Sequence, residues 1–178
     1  MRTLAILTFV SLDGVMQGVA SPDEDRSGGF DAGGWALPYW AEVMAQVSAE
    51  AIAVSYDQLL GRKTYDLFAA NQPNAAAMTR ATKYVVTSSP DTLSWDNSVA
   101  LTGDFVGEIS RLKQGDGPLL QVHGSWQLTQ TLLAYKLIDE FRLWTFPVVL
   151  GSGKRLFENG SLPASLALKK PPPATMAW

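Results

Sequence analysis

The sequence predicts an α/β domain built on a mainly parallel sheet with helices on both faces. Three observations predict it. Short apolar runs with β-branched or aromatic members alternate with segments of helical periodicity. Their spacing suits strand–helix–strand crossovers. Glycine and proline, 15 and 10 residues, punctuate the joins. The chain has 178 residues, 47% hydrophobic and 17% charged, which fits a single domain over 1–178 with a sizeable core.

Each element follows from a local pattern. Leu4 to Val10 is a continuous apolar run, as a central strand buried on both faces requires. Ser11 to Gly34 is rich in Gly, Ser, Asp and Pro and reads as a loop of roughly two dozen residues, a length usual for functional loops. Trp35 to Ala51 reads as a helix, with Trp40, Val43, Met44 and Val47 at three- and four-residue spacing. Ser55 to Leu60 is a short strand, followed by Gly61 and a helical turn through Phe68. Lys83 to Thr87 is a strand, Asp104 to Lys113 a helix, Leu119 to Val122 a strand, Ser125 to Ala134 a helix and Glu140 to Leu150 strand-like.

Composition removes several function classes. The formal charge is −3, from 14 basic and 17 acidic residues without a basic block, so no nucleic-acid surface is expected. There is no cysteine and His123 is the single histidine, so no disulfide, thiolate nucleophile or multi-histidine metal centre is expected. The apolar N-terminus meets Ser11 and Asp13 before a membrane span can form. The expectation is a cytoplasmic protein with no membrane partner.

Familiar nucleotide motifs fail. No Gly-x-Gly-x-x-Gly follows the first strand. Gly151-Ser152-Gly153-Lys154 lacks the earlier glycine of a phosphate loop and has Arg155 where Ser or Thr would hold magnesium. Two strand-to-helix junctions are more informative: Gly61-Arg62-Lys63-Thr64-Tyr65 and His123-Gly124-Ser125-Trp126. Each places glycine, then a helix start with unpaired N–H groups and a positive dipole end, where a phosphate would be held.

These junctions, with Thr87-Ser88-Ser89, the opening Phe9-Val-Ser-Leu-Asp-Gly-Val and the later stretch Pro147 to Phe157, resemble the dihydrofolate reductase-like family. Over roughly residues 2 to 168 the chain looks like the branch containing the reductase domain of riboflavin biosynthesis and its stand-alone relatives. The resemblance implies a three-layer sandwich and an NADPH site across the carboxyl ends of the strands. By that resemblance Gly61, Arg62, Lys63 and Thr64 hold phosphates, and Ser88 and Ser89 lie beside the adenosine ribose. Arg62 then reads the 2′-phosphate, for which its planar fork is suited. Gly124, Ser125, Trp126, Gln127 and Leu128 cradle the pyrophosphate, and Phe9 and Met16 flank the nicotinamide. His123 is expected to be a strand-end hydrogen-bonding residue.

Departures from the family bear on the substrate. Where true dihydrofolate reductases place a carboxylate after Leu-Pro, this chain has Trp40, and Glu42 is turned about 200° away on the helix. Dihydrofolate reduction is not expected. Trp35, Tyr39 and Trp40 read equally as core and as walls of a flat substrate pocket. Asp13 reads equally as turn former and substrate contact. Lys154, with Arg155, is a candidate for a substrate phosphate. Relatives close the sheet with a β-branched strand. Here Ser165 to Lys169 is followed by Pro171-Pro172-Pro173 and Ala174 to Trp178, so the C-terminal strand is expected to be missing or abnormal.

The reading is an NADPH-dependent reductase of a small heterocycle, resembling the enzyme that reduces a ribosylamino-pyrimidine at its sugar carbon, and homodimeric by the same resemblance. The loop 11–34 would close over the nicotinamide. The alternatives are a reductase of another small molecule, and a non-catalytic nucleotide-binding or dimerisation relative.

Overall fold

The computed structural model describes residues 1–71 and 76–169. Six strands form one sheet: β1 (Leu4–Ser11), β2 (Tyr56–Gly61), β3 (Lys83–Val86), β4 (Ser98–Leu101), β5 (Leu119–His123) and β6 (Glu140–Phe146). Their order is β4-β3-β2-β5-β1-β6 and every neighbouring pair is parallel, so the sheet is wholly rather than mainly parallel. The helices are α1 (Trp40–Ile52), α2 (Arg62–Asn71), α3 (Ala76–Arg80), α4 (Phe105–Gln114) and α5 (Trp126–Ala134).

The two faces of the sheet are covered by different helices. On one face Leu7 of β1 packs with Val43, Val47 and Ala51 of α1, while Leu60 and Val85 pack with Tyr65 of α2. On the other, Leu4, Ile6, Leu59, Leu120 and Val122 pack with Ile109 of α4 and with Leu128 and Leu132 of α5. A strand covered on both faces has no polar side to present, which is why β1 reads as an unbroken apolar run. Parallel strands start their crossovers at the same edge, so the carboxyl ends of β1, β2 and β5 meet at one end of the sheet.

Several boundaries differ from the sequence expectation, each for a local reason. The helix expected from Trp35 begins at Trp40. Pro38 disfavours helix in the residue before it, so Leu37–Tyr39 make one 3-10 turn. Trp35 instead enters the core, its indole N–H donating to the Gln17 carbonyl at 2.8 Å. The strand expected to reach Leu150 stops at Phe146, because Pro147 has no N–H to continue the ladder. The helix after Gly61 runs on to Asn71. β4 and α3 were not expected; four and five residues are too few to show a period.

The 11–34 loop is packed. Gly34 and Ala36 N–H groups donate to the Gly18 and Val19 carbonyls at 2.7 and 3.2 Å, and Val15 bridges to Arg155. At the chain's end, residues 161–169 form no strand and β6 is an edge of the sheet among the described residues. The triple-proline stretch and residues 174–178 of the C-terminal expectation lie outside the described residues.

Candidate functional site

Both glycine junctions sit at the carboxyl ends of neighbouring strands. β2 passes into α2 without an intervening residue, Gly61 ending the strand and Arg62 opening the helix. β5 ends at His123, and Gly124 and Ser125 turn the chain into α5. Both turning residues have positive φ, +55° each. Two successive residues of positive φ turn the chain sharply from the strand into the helix start. Glycine takes this conformation freely; Ser125 does so at a steric cost.

Ser125 ties the two junctions together. Its Oγ accepts the Gly61 N–H at 2.9 Å and donates to Thr64 Oγ1 at 2.8 Å. A Cβ on Gly61 would lie 3.3 Å from that oxygen, so glycine permits the approach. Gly61, Thr64, Gly124 and Ser125 thus form one cluster at adjacent helix starts.

Arg62 reaches sideways from α2 to the segment after β3. Its Nη1 donates to Thr92 Oγ1 at 2.6 Å and faces the Ser89 carbonyl at 3.3 Å and Thr87 Oγ1 at 3.4 Å. Its Nε lies 2.9 and 3.0 Å from the two carboxylate oxygens of Asp66, one helical turn on. Arg62 and Ser89 are therefore adjacent, with Ser88 and Lys63 exposed beside them. Sequence reasoning missed Asp66, Thr87 and Thr92 as partners of Arg62. Asp66 was legible from its four-residue spacing; the threonines were not, because a loop brings them in.

The remaining expected positions divide. Leu128 is buried in the core beneath α5 and Gln127 is exposed. Trp126 is half-buried, its indole N–H on the Arg155 carbonyl at 3.0 Å and the Lys154 ammonium 5.4 Å from its ring centre. Met16 is buried with Val10 and Leu156, Trp126 packing against them. Phe9 contacts Trp40 and Phe146, each at 5.7 Å between ring centres, and Phe146 also meets Trp35 and Tyr39. Trp35 is core, while Trp40 and Tyr39 are half-buried at the edge of this aromatic cluster.

Asp13 and Lys154 both hold the loop. Asp13 accepts the N–H groups of Leu150 and Gly151 at 3.1 and 2.8 Å and the Ser11 hydroxyl at 2.7 Å. The Ser11 hydrogen bond, with these backbone donors, holds its carboxyl far below the usual range. Lys154 pairs with Asp25 at 2.5 Å. Burial pushes the Asp25 carboxyl up, but Lys154 and Ser27 outweigh it and leave the pKa at about 2.

His123 closes β5, at the strand end where it was expected. Strand alternation turns its ring to the α1–α2 face, between Tyr56 and Phe68, with centroids at 6.3 and 6.0 Å. Nε2 there has no partner, and burial pushes the imidazole pKa down to about 4.

A family model describing the RibD C-terminal domain matches residues 2–171. The chain belongs to the RibD C-terminal domain family. Its relatives include two uncharacterized proteins of Bacillus subtilis strain 168. YwjB is 32% identical over 111 residues, 62% of this chain and 63% of the relative. YyaP is 29% identical over 109 residues, 56% of this chain and 57% of the relative. The chain thus matches less than two thirds of the length of either relative. Among solved structures, a protein assigned to riboflavin biosynthesis from Shewanella sp. PV-4 superposes with a TM-score of 0.56 at 21% identity, covering 94% of this chain and 88% of that one. The diaminohydroxyphosphoribosylaminopyrimidine deaminase/5-amino-6-(5-phosphoribosylamino)uracil reductase of Thermotoga maritima superposes with a TM-score of 0.51 at 15% identity, over 92% of this chain and 51% of that one. At such identities the likeness establishes the RibD-type, dihydrofolate reductase-like fold. No helix among the described residues is long and apolar enough to cross a membrane.

Proposed function

We propose that this chain is an NADPH-dependent reductase acting on a small heterocyclic substrate, resembling the phosphoribosylaminouracil reductase of its family. The observation that carries this reading is the Ser125 bridge, which brings two phosphate-suited helix starts together at the carboxyl ends of β2 and β5.

The residues present fit a dinucleotide. Gly61 has no Cβ to displace Ser125, and Gly124 and Ser125 lead directly into the N-terminus of α5, whose unpaired N–H groups suit an anion. In this reading Gly124, Ser125, Trp126, Gln127 and Leu128 hold the pyrophosphate through the start of α5. Thr64 and Lys63 hold the phosphate at α2, and Arg62, Ser88 and Ser89 recognise the 2′-phosphate. Phe9 and Met16 line the nicotinamide end. When bound there, NADPH would supply the hydride. The chain's own part is to orient the reactants, exclude water with the Phe9–Trp40–Phe146 cluster, and cover the cleft with the 11–34 loop. Asp13 holds that loop, and Lys154 acts beside it; a substrate phosphate would compete with Asp25 for the Lys154 ammonium. The protein is read as a cytoplasmic homodimer with no nucleic-acid or membrane partner.

Calorimetric titration with NADPH and NADH tests the reading. Micromolar NADPH binding with a clear preference over NADH is expected; binding of neither overturns it. Light scattering showing a monomer at micromolar concentration overturns the dimer.

A further inference from the structure

Five side-chain atoms among the described residues are shielded from solvent with no hydrogen-bond partner: both amide atoms of Gln58, both of Gln121, and His123 Nε2. They are not scattered. Gln58 and Gln121 are register partners on neighbouring strands β2 and β5. His123 lies two residues beyond Gln121, so strand alternation puts all three on the α1–α2 face. Both glutamines are fully buried. Tyr56 joins the same row, and the Gln58 side chain acts on its hydroxyl against the upward push of burial.

Leaving so many buried polar atoms unmet would cost several times the penalty of about 1–3 kcal/mol for one. Native proteins satisfy nearly all such groups, with water where no side chain reaches. An internal water needs two to four polar partners. Two carboxamides and one imidazole nitrogen supply that number with both donors and acceptors. Burial lowers the His123 pKa, and the buried cation beside this row, Lys83, the register partner of Gln58, spends its ammonium on the carbonyls of Met78, Thr79 and Ala81, so the complementary ligand is neutral.

We propose that Gln58, Gln121 and His123 form an internal water site that fixes the His123 imidazole as a single neutral tautomer. The second ring nitrogen is set by the bond the first makes. With Nε2 held by water, His123 stands at the carboxyl end of β5, one residue before Gly124, as an oriented and uncharged hydrogen-bonding group.

The test needs no dinucleotide, so it is separate from the test of the reductase reading. A high-resolution crystal structure of the protein is expected to show ordered water between the two carboxamides and His123 Nε2. Nitrogen NMR of the imidazole is expected to show one neutral tautomer at pH 7 and a titration midpoint well below 6.5. Gln121→Met keeps the volume and removes the carboxamide, stranding the water's other partners. It should lower Tm by about 2–4 °C, the shift that follows from one broken hydrogen bond. A dry site with Gln58 and Gln121 paired directly, a mixture of His123 tautomers, or a Tm unchanged or raised in Gln121→Met overturns the proposal. Gln58→Met provides the same comparison where Gln121→Met does not fold.

Discussion

Asp13 and Arg155 hold each other at two points: the Arg155 Nε donates to the Asp13 carbonyl at 2.9 Å, and its Nη2 lies 3.3 Å from the Asp13 carboxylate. With the Leu150 and Gly151 N–H groups on the same carboxylate, this pair fastens the turn after β1 to the turn after β6. Asp13→Ala should lower stability by about 1–3 kcal/mol, because several donors lose one acceptor together. Denaturant unfolding and the rate of proteolysis within residues 11–34 check this.

Acid should unfasten the same loop. Asp13 and Asp25 both titrate below the 3.8 of an unperturbed Asp in the folded chain. A depressed folded pKa contributes stability that is complete above the unfolded value and lost as pH falls through the folded one. The loss should therefore begin near pH 4 and deepen towards pH 2. Lys154→Met should flatten the Asp25 share of that acid limb, as read by thermal unfolding across pH 2–6.

Ser125→Ala should separate the two junctions. The Gly61 N–H loses its acceptor and Thr64 its donor. NADPH affinity should fall about tenfold, with a smaller loss of stability. Calorimetry on the variant and the wild type gives both numbers, and unchanged affinity would count against the bridge as part of the binding site.

Arg62→Ala should weaken NADPH more than NADH, by roughly 1–3 kcal/mol where a charge-assisted pair is lost. Asp66→Asn is the control, since it leaves the guanidinium in place without its carboxylate partner. Equal losses for both dinucleotides would remove Arg62 from 2′-phosphate recognition.

Lys83 tests the opposite end of the sheet, where β3 begins. It is fully buried, 4.5 Å from the Trp95 ring centre, and donates to the carbonyls of Met78, Thr79 and Ala81 at 3.0, 2.9 and 2.7 Å. These include the last carbonyls of α3, which a short helix cannot satisfy itself. Lys83→Met should cost about 1–3 kcal/mol, measured by urea unfolding, with the dinucleotide site unaffected.

Much of the fold was legible because its signals are local. The Leu4–Val10 run, the period of α4 and the glycine at each junction are properties of a few neighbouring residues. β4 escaped because four residues at an edge carry too little pattern. The helix start was misplaced because the indole of Trp35 satisfies itself on Gln17, across the loop, instead of joining α1.

The sequence by itself determined the α/β class and the parallel sheet, because strand and helix periods are written along the chain, and its ordered motifs carried the resemblance to the family. Only the tertiary structure decided what those motifs touch. It put Ser125 on Gly61 and Thr64, and Arg62 on Ser89 and Thr92. It turned Asp13 and Lys154 into fastenings of the loop, and it lined up Gln58, Gln121 and His123 on one face. The physical reason is distance along the chain: these partners lie from 27 to 138 positions apart, and no local propensity encodes which of them will share a hydrogen bond.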